Sequence, residues 1–139
     1  MTVLGRLAGI DPADYSGASF SDVNTAQWYA PYAKWAAEMG IVSGVGNNNF
    51  APDANISRQD LAVILYNYAN VMGITLPETA DAIDFNDGSD IAGYASAAVA
   101  AMQKAGIING KPGGIFDPQG IATRAEVAAM LHRFCEAVK

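Results

Sequence analysis

Residues 55–65 read NISRQDLAVIL, and residues 121–131 read IATRAEVAAML. Each stretch runs from a hydroxyl residue through an arginine to an acid, then opens an apolar run at helical spacing. Ser57-x-x-Asp60 and Thr123-x-x-Glu126 have the pattern of capping boxes. In such a box the hydroxyl accepts from a backbone N–H one turn into the helix, and the acid reaches back to the cap's own N–H. These signals predict helices over 57–72 and 123–138. The first turns Leu61, Ile64, Leu65, Tyr68 and Met72 to one face; the second turns Val127, Met130, Leu131 and Phe134. Capping accounts for the hydroxyls and the acids. It leaves Arg58 and Arg124 without a cause.

A shift of 66 residues superimposes far more than these two stretches. Gly40, Ile41 and Gly44 fall on Gly106, Ile107 and Gly110, and Phe50 and Pro52 on Phe116 and Pro118. Trp28 falls on Tyr94, and FSDV at 20–23 matches FND at 85–87 with an offset of one residue. A fixed period of this kind marks duplicated supersecondary units that bury a shared core. Each unit reads as helix, loop, helix. Trp28, Tyr32, Trp35 or Ala36, and Met39 recur at helical spacing before Gly40 ends the run. The matching helix spans about 91–105, is rich in alanine, and stops at Gly106, so it is expected to pack close to its neighbours. Between the two helices of each unit lies a glycine-rich turn whose Phe is expected in the core.

VLGRLAG at 3–9 aligns with ILYNYA and with LHRF. Residues 1–12 therefore read as the tail helix, at about 2–10, of a preceding repeat whose front half lies outside the chain. Repeats follow at 20–73 and 85–139, with 74–84 as linker. The tail helix is amphipathic through Val3, Leu4 and Leu7, and its open side predicts self-association into a homo-oligomer.

Composition bounds the function. Half of the 139 residues are hydrophobic and 16% are charged, which is globular. A net charge of -6 opposes binding to nucleic acid or an anionic membrane surface. No apolar run reaches the length of a membrane span, and the N-terminus lacks the basic head and apolar block of a signal peptide. Cys135 is the single cysteine and reads as a small buried hydrophobe. His132, alone on the last helix, reads as structural or solvent-facing. DFNDGSD at 84–90 resembles a calcium loop only superficially. Glycine stands fifth rather than sixth, and the twelfth position from Asp84 is alanine rather than a bidentate acid. No nucleophile–base pair, metal-ligand set or cofactor motif is present, so neither catalysis nor a cofactor is expected.

Taken together, FSDV, Trp28, GIVSG, FAP and SRQD in one unit, and FND, Tyr94, GIING, FDP and TRAE in the next, resemble the S-layer homology domain. The resemblance covers the chain from Phe20 onward, and the N-terminal stub by extension. It implies an all-α fold of tandem helix-loop-helix repeats in a pseudo-threefold arrangement, with the second helices as a central bundle and the first helices as prongs. It also implies an extracellular role at the bacterial cell surface: non-covalent anchoring to secondary cell-wall polysaccharide, often pyruvylated, held in grooves between repeats. SRQD departs from the family's T-R-A-E, and one repeat is incomplete. The alternative is a structural, protein-interaction module on the same scaffold that has lost glycan binding.

Under the resemblance the expected ligand-binding residues are Arg58, Arg124, Trp28, Tyr94, Gly44 and Gly110, with Ser57, Asp60, Thr123 and Glu126 as helix caps. The chemistry suits an acidic sugar. A first-turn arginine offers a planar donor fork beside free backbone N–H groups and the positive end of the helix dipole. Gly44 and Gly110 would let the backbone approach a ligand. The plainer alternatives are that each arginine pairs with a nearby surface acid, and that Trp28 and Tyr94 pack within the protein rather than stack on sugar. Asp22 and Asp87 are expected to fix the entry to the first helix of each unit.

Overall fold

The computed structural model describes residues 1–138. Among them are five α-helices, α1 (Thr2–Ala8), α2 (Ala30–Glu38), α3 (Arg58–Val71), α4 (Ser96–Lys104) and α5 (Arg124–Ala137). Three short 3-10 turns and isolated bridges complete the secondary structure of the described residues, and none of them forms a strand. The fold is all-α, as the periodicity predicts. The chain divides into two compact units, Met1–Ala54 and Asn55–Lys139. This division cuts the first sequence repeat, placing α2 and its loop in one unit and α3 in the other.

In the first unit α1 ends at Gly9, which is left-handed at φ 72 and donates its N–H to the carbonyls of Arg6 and Gly5. Leu4 is buried while Val3 and Leu7 are about half exposed, so the stub is amphipathic. It packs against α2 through Gly5, where an added Cβ would sit 2.5 Å from the Tyr32 ring. The helix predicted from Trp28 begins only at Ala30. Pro31 supplies the first turn, a position that suits proline because its missing N–H would be unpaired there. Trp28 is left in the preceding turn. Tyr32, Trp35 and Ala36 are buried, whereas Met39 is exposed. Phe20 and Phe50 stack at 5.1 Å over Val23 and Ala30.

In the second unit α3 lies against α4, which buries Ala98, Val99 and Met102. α4 starts five residues later than the spacing suggests, because 88–90 and 93–95 are 3-10 turns. Of the α4 alanines, Ala98 is buried while Ala97 and Ala100 face solvent. Phe116 is fully buried, a contribution of about 1.5–3 kcal/mol from one such side chain. Its counterpart Phe50 is only half-buried. Tyr68 and Phe134 meet edge to face at 5.8 Å and tie α3 to α5. Residues 74–84 are fastened rather than loose. Buried Gln103 donates to the Asp81 carbonyl at 2.6 Å and accepts from Ile83 N–H at 3.0 Å. Cys135 is half-buried rather than buried, and His132 is exposed.

Candidate functional site

The two helix starts are built alike and used differently. Ser57 Oγ accepts from Asp60 N–H at 3.2 Å, and Thr123 Oγ1 accepts from Glu126 N–H at 3.1 Å, so both hydroxyls cap. The acids do not complete the boxes in the expected way. Asp60 takes a 2.6 Å hydrogen bond from the Tyr94 hydroxyl, and Glu126 takes a 2.9 Å bond from Arg58. Both carboxylates instead accept from side chains far along the chain, 34 and 68 residues away.

Arg58 is 4% exposed. Its Nε donates to the Phe116 carbonyl at 2.7 Å, its Nη1 to Glu126, and its guanidinium carbon lies 5.1 Å from the centre of the Phe116 ring. The backbone beside it is also used. Arg58 N–H donates to Gly120 O at 2.9 Å and Gln59 N–H to Pro118 O at 3.0 Å. The turn at 116–120 therefore covers the start of α3. That supplies the cause missing for this arginine in the sequence: it ties one repeat's helix to the next repeat's turn.

Arg124 holds the equivalent place on α5 and is exposed. Among the described residues it has no hydrogen bond or ion pair, and no acceptor faces its own N–H or that of Ala125. A free fork and two free N–H groups stand at the positive end of a 14-residue helix.

Tyr94 is 66% exposed, but its hydroxyl is fixed. Gln59 Nε2 donates to it at 3.3 Å, and it donates to Asp60, while Gln59 Oε1 accepts from Ala92 N–H at 3.0 Å. The bond to Asp60, then burial and the Asp60 charge, push the phenol above its ordinary value. The result is an aromatic face open to solvent with its edge locked. Trp28, in the other unit, is 67% exposed and meets Tyr29 edge to face at 5.7 Å.

Gly44 and Gly110 have a cause within the fold. Both are left-handed, at φ 81 and 77. A Cβ on Gly44 would sit 2.5 Å from Asn49 O and 2.8 Å from the Phe20 ring; on Gly110 it would sit 2.7 Å from the Phe85 ring. The space beside each glycine is filled by the phenylalanine of the F-x-D motif.

That motif's aspartates do not fix the entry to the first helix as expected. Asp22 accepts from Phe50 N–H and Ala51 N–H, both at 2.7 Å, and Asp87 accepts from Phe116 N–H and Asp117 N–H, both at 2.8 Å. Each clamps the turn that precedes the second helix of its repeat. The clamped Ala51 and Asp117 are left-handed non-glycines, at φ 56 and 59. The bond from Phe50 is the main influence holding the Asp22 carboxyl below its ordinary value. Burial raises Asp87, but the bonds from Phe116 and Asp117, with the Arg58 charge, leave it lowered too. Gln59 and the two clamps were missed in the sequence because their partners lie 28 to 35 residues away.

Residues 19–62 and 84–128 match the S-layer homology domain. The chain belongs to that family. An exoglucanase of Acetivibrio thermocellus is 37% identical over 94% of this chain, and an S-layer protein of Bacillus anthracis is 30% identical over 90%. A cellulosome-anchoring protein of Acetivibrio thermocellus is 27% identical over 96%. The chain spans only 12%, 14% and 30% of these relatives' lengths. No helix of the described residues is long and apolar enough to cross a membrane.

Proposed function

We propose that this S-layer homology chain is a non-catalytic module that anchors a bacterial protein to the cell wall from outside the cell. It does so by binding secondary cell-wall polysaccharide through a carboxylate such as a pyruvate ketal. The observation that carries the reading is the start of α5, where exposed Arg124 stands beside two unpaired N–H groups. A carboxylate is acceptor-only and planar, so it suits a guanidinium fork and a helix N-terminus together. At the other helix start, that of α3, the open ring of Tyr94, held at its hydroxyl by Asp60 and Gln59, offers a second, separate apolar face to a sugar. The relatives' names, an S-layer protein and a cellulosome-anchoring protein, point the same way.

Titrating the chain with purified wall polysaccharide tests this. Arg124→Ala is expected to weaken binding by on the order of 1.5–3 kcal/mol, the value of a charge-assisted contact. Arg124→Lys should lose part of that, since lysine keeps the charge but not the fork. Equal binding of native and de-ketalised polymer would sink the carboxylate role. The commitment of Arg58 to protein groups favours a second reading, a protein-interaction module. A folded chain that binds no wall fraction would select it.

A further inference from the structure

At the end of α3 far from Arg58, the second unit contains a cleft of about 250 Å³ between α3, α4 and the segment 74–78. The two repeats differ at its wall. Under the 66-residue shift, Tyr32 and Trp35 of α2 fall on Ala98 and Ala101 of α4. In the first unit both aromatics are buried, with the Tyr32 ring against Gly5 of α1. In the second unit, α3 carries Tyr66 where the aligned α1 carries Gly5. Of the two replaced positions only Ala101, which stands where Trp35 stands in the first repeat, lines the cleft, so a bulky ring is absent from its wall there.

The connecting segment does not collapse into the space, because it is pinned at both ends. Gly73 is left-handed and Ile74 N–H donates to Ala69 O at 2.8 Å. At the other end Thr79 N–H and Ala80 N–H both donate to Lys104 O, at 2.9 and 3.0 Å. Leu76, Pro77 and Ala101 form an apolar wall, while Tyr66, Asn70, Glu78 and Lys104 supply polar groups. Among the described residues none of these four side chains has a hydrogen bond or ion pair. At the other end of α3, by contrast, Arg58, Gln59 and Asp60 are all engaged.

We propose that this cleft binds a single neutral pyranose ring, at a site separate from Arg124 and Tyr94. A pyranose has an apolar C–H face for Tyr66 and the Leu76–Pro77 wall. Its vicinal hydroxyls need a donor and an acceptor side by side: one hydroxyl donates to Glu78 while its neighbour accepts from Lys104, and Asn70 serves in either sense. A purely apolar ligand would leave the hydrogen-bonding capacity of Glu78, Lys104 and Asn70 unused. An anion would meet the Glu78 carboxylate. The volume lies just below the range of drug-sized pockets, which favours one ring over a longer segment. The inference does not depend on Arg124 binding wall polymer.

The test is a titration of the full chain with methyl glucoside, methyl mannoside and methyl N-acetylglucosaminide, followed by the amide resonances of residues 74–80 and 101–104. At least one sugar is expected to shift these resonances saturably. Ala101→Trp, which refills the space as in the first repeat, should abolish the shift, and Lys104→Met should weaken binding about tenfold. No saturable shift with any of the three sugars, or a shift that survives Ala101→Trp, overturns the proposal. If Ala101→Trp does not fold, Glu78→Gln and Lys104→Met decide, and wild-type affinity in both overturns it. Wall-polymer binding is measured in parallel, so loss of the pyranose site alone leaves the Arg124 reading standing.

Discussion

Arg58 has its guanidinium on the Phe116 carbonyl, on Glu126 and over the Phe116 ring, whereas Arg124, in the better-kept motif, has none of these. The difference lies in the chain that covers each helix start rather than in the arginine. The turn at 116–120 accepts from the first two N–H groups of α3, whereas no acceptor among the described residues meets those of α5. Substitutions should therefore separate stability from binding. Arg58→Ala strands the Glu126 carboxylate, 29% exposed, and leaves a carbonyl without its donor. A fully buried pair broken this way costs about 3–5 kcal/mol. Water can partly relieve Glu126, so a loss of roughly 2–3 kcal/mol is expected in denaturant unfolding. Arg124→Ala, at an exposed and unpaired position, should change stability by less than about 0.5 kcal/mol. Equal losses for the two would mean that Arg58 is not a tie.

Among the elements, those with local signals were legible in the sequence. Ser57 and Thr123 mark the starts of α3 and α5 within a residue, because a cap bonds to a backbone group three positions on. The start of α2 was misplaced by the pull of Trp28, although Pro31 marks it. The loop clamps were illegible, since nothing at Asp22 or Asp87 names a partner 28 to 30 residues later. The same holds for Arg58 and Glu126, 68 residues apart. These clamps make an acid-sensitive element. Both aspartates have folded values below their ordinary ones, so their contribution is complete above about pH 4 and is lost as pH falls through the depressed folded values. Thermal unfolding followed by circular dichroism should show the midpoint dropping on acidification below about pH 4. The Asp22→Asn, Asp87→Asn double variant should be less stable at neutral pH and flatter through the acid range. An unchanged acid slope would mean that other carboxylates set it.

For the whole molecule the governing quantity is the net charge of -6, from 14 acids against 8 bases. A protein that grips a polyanion with a basic surface releases counterions and loses affinity steeply as salt rises. With 8 bases against 14 acids, this chain has little basic charge to offer an anionic wall polymer. The proposed attraction is local, between one guanidinium with its helix N-terminus and one carboxylate, and it works against a long-range repulsion. Salt screens the long-range part first. The Debye length falls from about 30 Å at 0.01 M to about 10 Å at 0.1 M, while a contact pair a few ångströms apart is much less affected. Association with the polymer should therefore speed up or stay level over that range, with a modest rise in dissociation at higher salt. Surface plasmon resonance on immobilised polysaccharide reads both rates. A steep fall in association rate with added salt would show that attraction, not repulsion, dominates the approach, and that a basic surface rather than a single capped arginine makes the contact.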